Sequence, residues 1–69
     1  MAIKVTVIAD GKEVGTAQAE NRWVLPDVIA QATRTCDQDP NLTFVKEEKV
    51  QDSGGNLVEV RVLYQRKGK

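Results

Sequence analysis

The sequence predicts an α+β fold, one small domain built strand–strand–helix–strand–strand, with a four-stranded sheet and one helix packed on one of its faces. Three observations carry that expectation. Only one stretch, 25–36 (LPDVIAQATRTC), spaces its apolar residues with a helical period. The segments on either side of it alternate apolar and polar residues and are rich in β-branched side chains, as strands prefer. Each of those segments is interrupted by a turn sequence, Asp10-Gly11 in the first and Asp52-Ser53-Gly54-Gly55-Asn56 in the second.

The first strand covers 3–9, with Ile3, Val5 and Val7 on one face and Lys4, Thr6 and Ile8 on the other. Asp10-Gly11 suits a two-residue type I′ turn, whose central residues both need positive φ. That loop sets Val7 opposite Val14, Val5 opposite Thr16 and Ile8 opposite Glu13. A three-residue loop would place Glu13 against Val7 on the core face and is rejected. The return strand, 13–19, holds Gly15 and small alanines, so it reads as an edge.

In the helix, Leu25, Val28, Ile29, Ala32 and Cys36 form one stripe, and Asp27, Gln31 and Arg34 take the opposite side. Val28, Ile29 and Ala32 are expected to be buried against Val5, Val7, Val60 and Val62. Pro26 fits a first turn, where its missing N–H costs nothing, and Asp27 beside it complements the positive helix end. Leu25 is a poor N-cap, so this terminus needs backbone or tertiary partners. Asp37-Gln38-Asp39 and Pro40 bound the other end.

In the second hairpin a three-residue loop ending in Gly55 supplies the left-handed residue of a type I turn with a bulge. It pairs Phe44 with Tyr64 and Val50 with Val58 on one face. On the other it pairs Glu47 with Arg61 and Lys49 with Glu59, two opposite-charge pairs. Lys46 and Glu48 then share the core-side face with Phe44 and Val50, and a strand half charged on its core side belongs at an edge. The last strand, 57–64, is apolar at Val58, Val60 and Val62 and belongs in the centre. The sheet order is therefore 2-1-4-3, the helix being the crossover that sets strand four parallel to strand one. This order of elements resembles the β-grasp plan of the small immunoglobulin-binding domains of bacterial surfaces. The likeness is one of element order and implies a fold, not a function.

Sixty-nine residues, 41% hydrophobic and 29% charged, make one globular domain, 1–65, followed by a basic tail, 66–69, expected to fray. The formal net charge of zero argues against a surface built throughout for nucleic acid or anionic membrane. The charges are nonetheless segregated: 37–59 holds six acids and two lysines, whereas 60–69 holds four bases and no acid. Cys36 is the sole cysteine, so no internal disulfide can form. No secretory leader and no apolar run of membrane-spanning length is visible, and a reducing, cytoplasmic location is the simplest expectation.

The chemistry is limited by what is missing. The chain has no histidine, which with one cysteine leaves no zinc cluster of His/Cys spacing and no Ser-His or Cys-His pair. There is no glycine-rich phosphate loop, and Gly54-Gly55 belongs to a turn. Glu47 and Glu48 are neighbours on a strand and project to opposite faces. Asp37 and Asp39 read as a solvated helix stop, and Cys36 reads as a small buried hydrophobe with no basic neighbour to activate it. No enzyme, cofactor or metal site is expected. Trp23 reads as a plug over the end of a small core or, functionally, as an exposed binding anchor.

The function expected is therefore a non-catalytic module recognising another protein, or a second copy of itself, through a sheet edge or the open sheet face. Its candidate contact residues are Trp23, Thr43, Val45, Lys46 and Glu48. The alternative is a nucleic-acid-binding protein using Arg61, Arg66, Lys67 and Lys69, which would lack base-stacking aromatics because Phe44 and Tyr64 pair on the core side.

Overall fold

In the computed structural model, which describes residues 2–67, the elements are β1 (Ile3–Ala9), β2 (Lys12–Ala19), α1 (Leu25–Ala32), α2 (Arg34–Gln38), β3 (Leu42–Gln51) and β4 (Leu57–Arg66). They form one mixed sheet in the order β2-β1-β4-β3, with β1 and β4 parallel at its centre and the other neighbours antiparallel. The order and the central parallel pair agree with the sequence. The core is built from the two central strands: Val5 and Val60 are fully buried, and Val7, Val62 and Ile3 nearly so. These residues point to the helix side, joined there by Ala19, Leu25, Cys36 and Tyr64.

The first turn is as expected, with Asp10 and Gly11 both at positive φ (53° and 78°). Ile8 faces Glu13, but beyond that pair the register differs from expectation. A β-bulge leaves Val14 without a partner, so Val7 faces Gly15, Val5 faces Ala17 and Ile3 faces Ala19. Shape explains the shift. α1 rests on β1 and β2, and the bulge turns the small Gly15, Ala17 and Ala19 to the helix side while Val14 goes to solvent. Larger residues in the places of Ala17 and Ala19 would press on the helix, whereas the place of Gly15 is open.

The second hairpin departs in the same way. Phe44 does face Tyr64, but bulges at Val45 and at Val58 displace the run between them by one residue. Val50 therefore faces Glu59, Lys49 faces Val60, Glu48 faces Arg61 and Glu47 faces Val62. The expected pairs Val50–Val58, Glu47–Arg61 and Lys49–Glu59 are not formed. Because directly opposed residues share a face, Glu47 and Lys49 lie on the helix side and Lys46 and Glu48 on the open side, the reverse of the expectation.

The helical segment has a break at Thr33, whose buried hydroxyl donates to the Ile29 carbonyl at 2.8 Å. Such back-bonding bends a helix. The stripe is also less buried than predicted. Leu25 and Cys36 are buried, but Val28, Ile29 and Ala32 are only partly so, because α1 leans toward β2 instead of sitting centrally over β1 and β4. The N-terminus is held as the sequence required, by other partners. The Asn21 carboxamide oxygen accepts the N–H groups of Trp23 (2.8 Å) and Val24 (3.2 Å), and Val24 is an uncapped N-cap.

Candidate functional site

The offset helix leaves part of the sheet's helix side uncovered. A groove runs there between α1 and the β3–β4 hairpin, with Leu25, Pro26 and Ile29 as its wall, Val60, Glu47 and Lys49 as its floor and Arg22 at its rim. Trp23 stands beside it in the turn leading into α1. It is 82% exposed, so it is not a plug for the core. A second shallow concavity beside Trp23 is lined by Ile3, Asn21, Gln51 and Leu57, which places the indole at the Gln51 end of β3.

β3 is an outer strand, and among the described residues its one neighbour in the sheet is β4. Thr43, Val45 and Lys46 are exposed along it and Glu48 is half-buried. Phe44 is also exposed, its ring packed edge-on to Tyr64 at 6.0 Å between centroids. Of the candidate residues, Thr43, Val45, Lys46 and Glu48 thus share one strand, while Trp23 lies beyond its far end. Lys46 pairs with Glu48 at 3.1 Å on the open face. Sequence reasoning missed Phe44 as a surface residue, and it set Glu47 and Lys49 on the open face, whereas the bulge at Val45 turns them to the helix side.

The cations of the basic end are not gathered into one surface. Arg61 lies on the open face 3.6 Å from Glu59, whose carboxyl is held below its ordinary value by the Thr6 hydroxyl at 2.9 Å and then by Arg61. Arg66 is not in a tail. It is the last residue of β4, its N–H and guanidinium both donating to Asp10. The Arg66 backbone N–H, followed by its side chain, draws the Asp10 carboxyl below the usual range. Lys67 is exposed and its N–H reaches the Asn41 carbonyl at 2.7 Å. Lys69 lies outside the described residues.

Tyr64, Asp37 and Asp39 hold the structure together. The Tyr64 hydroxyl donates to Asp37, and the Thr33 hydroxyl lies 3.4 Å from the same carboxylate, so Asp37 is a tie between helix and sheet and not simply a solvated stop. Burial, then the hydrogen bond to Asp37, pushes Tyr64 up to about 12. Asp39 accepts the Asn41 N–H at 2.8 Å. Cys36 is buried, and burial followed by the Asp37 and Asp39 charges raises its thiol, the opposite of activation. Among the described residues no His, Cys, Asp and Glu side chains cluster as a metal site would require, and no helix is long and apolar enough to cross a membrane.

Compared with protein-family models, with curated proteins and with solved structures, the chain matches none.

Proposed function

We propose that the chain is a non-catalytic binding module that recognises another protein through the outer edge of β3, with Trp23 as an anchor at one end of that edge. The single observation behind this reading is the placement of Trp23. A large aromatic ring left 82% exposed forgoes the burial that a thin core could use, and Trp is enriched among binding hot spots. Two hydrogen bonds to Asn21 order the turn that presents it, so little entropy is lost when a partner covers it. The unpaired edge of β3 supplies backbone donors and acceptors for strand addition. The absence of histidine and the inert state of Cys36 support a role without catalysis. The basic end receives less support as a nucleic-acid site, because Arg61 and Arg66 already face carboxylates.

The test is affinity capture from the source cell with the parent chain and Trp23→Ala. The variant is expected to melt like the parent and to lose about thirtyfold or more in affinity for the captured protein, the loss typical of a hot-spot residue. Equal capture by both chains would remove Trp23, and with it the reading.

A further inference from the structure

We infer that the protein recognised is a second copy of this chain, joined antiparallel along β3 about a two-fold axis through Glu48. The inference rests on the reading just given and names its partner. Between the bulges at Val45 and Val58, the run 46–50 is the regular part of the β3 edge, and Glu48 is its centre. An antiparallel pairing about that residue sets Glu47 of each copy opposite Lys49 of the other, giving two opposite-charge pairs on the helix side. Lys46 of each copy faces Val50 of the other. The cost is Glu48 against Glu48 on the axis. Each Glu48 is already held by its own Lys46 at 3.1 Å, so the open-face cluster of two lysines and two glutamates carries no net charge.

The same symmetry joins exposed groups that one chain keeps apart. Phe44 and Val45 lie at one end of β3 and Trp23 beyond the other, beside Gln51. A two-fold axis normal to the sheet keeps each face on its own side and reverses the strand. It therefore brings Phe44 of one copy to the Gln51 end of the other, on the helix side, where Trp23 stands. The dimer so formed is a continuous eight-stranded sheet. The β2 edge carries no comparable code, since its run beyond the bulge is Gly15, Thr16, Ala17, Gln18 and Ala19. Edges of that composition specify register weakly.

The test is sedimentation of the full chain over rising concentration, using the parent, Glu47→Lys, Lys49→Glu and an equimolar mixture of the two variants. Both positions are exposed, so thermal melts matching the parent's are the control for folding. The parent is expected to dimerise. Each single reversal sets like charges opposite each other twice and should weaken self-association about tenfold or more. The mixture should restore it, because in the mixed dimer position 47 of each copy again meets an opposite charge at position 49 of the other. A second measurement needs no variant: the outward amides of 46–50 should gain hydrogen-exchange protection with concentration, and those of β2 should not. A parent dimer indifferent to both reversals would overturn the inference, as would a parent that stays monomeric. A monomer that still captures another protein through Trp23 sinks only the self-pairing. A monomer that captures nothing sinks the binding reading as well.

Discussion

β2 and β3 are the two edges of one sheet, and each carries a bulge whose extra residue is a solvent-exposed valine, Val14 in one and Val45 in the other. Bulges of this kind twist an edge and guard it against indiscriminate pairing. There the likeness ends. β2 sets Ala17 and Ala19 beneath α1 and serves as a floor for the helix. β3 sets Glu47 and Lys49 on the same side of the sheet, where only the last turn of the helical segment approaches it. One edge is committed to the core. The other leaves Glu47 and Lys49 exposed and, among the described residues, has no strand on its outer side. The difference comes from side-chain volume: the helix settles where the sheet is thinnest and leaves the β3 side uncovered.

The largest effect expected from this contrast is at Ala19, which has no exposed surface. Ala19→Leu forces a side chain into the helix–sheet contact and should cost roughly 1–3 kcal/mol, a large part of the roughly 3–10 kcal/mol expected for a domain of this length. Lys49→Leu, on the same side of the sheet in β3, should stay within about 0.5 kcal/mol of the parent. Urea melts of the two variants measure both. Equal losses would mean that the helix rests on both edges alike.

A smaller effect sharpens the β3 side, where Tyr64 ties the helix end to the sheet through Asp37. Its acidity in the folded state is moved from 10.0 up to about 12, so folding favours the protonated phenol. The resulting stability is fully present below the ordinary value and is lost as pH rises through the folded one. The melting temperature of the parent should therefore fall more steeply than that of Tyr64→Phe between those two limits. Parallel curves would show that the hydroxyl is as well solvated folded as unfolded.

The smallest effect is a gain. Gly15 has ordinary negative φ, and a Cβ built there meets nothing within 4 Å. Gly15→Ala should stabilise the domain by about 0.5 kcal/mol through the unfolded chain's lost freedom. A destabilised Gly15→Ala protein would show that the floor of β2 is already filled.

The fold was legible because its signals are local. The helical stripe needs twelve residues to be seen, and Asp10-Gly11 announces its turn in two. The registers were only partly legible. Pairing Glu47 with Arg61 and Lys49 with Glu59 is the best solution for a bulge-free hairpin, and nothing in Phe44-Val45-Lys46 advertises the extra residue. The bulge changes the faces of β3 alone: Val60, Val62 and Tyr64 face the core in either register, so β4 does not signal it. The candidate site was legible in the same measure. Trp23 could be singled out by type, but whether it closed the core depended on where the helix settled. Arg66 looked like a tail because its partner, Asp10, lies 56 residues away.

The parallel contact between β1 and β4 also decides how fast the molecule can assemble. Each hairpin closes over a few residues and can form in about 1–10 μs. Joining them brings together groups as far apart as Thr6 and Glu59, separated by 53 residues, at a loop-closure cost of roughly 3.5 kcal/mol beyond a constant. Folding is then the meeting of two ready-made hairpins, slower than the closure of either alone, with the contact of Val5 and Val7 on Val60 and Val62 as its threshold. Val60→Ala should accordingly slow folding in a chevron measurement, whereas an unchanged folding rate with faster unfolding would place that contact after the barrier. Until the halves meet, the valine row of β4 is open to water and to other chains, so the rate of this one encounter sets how long the chain stays exposed to aggregation.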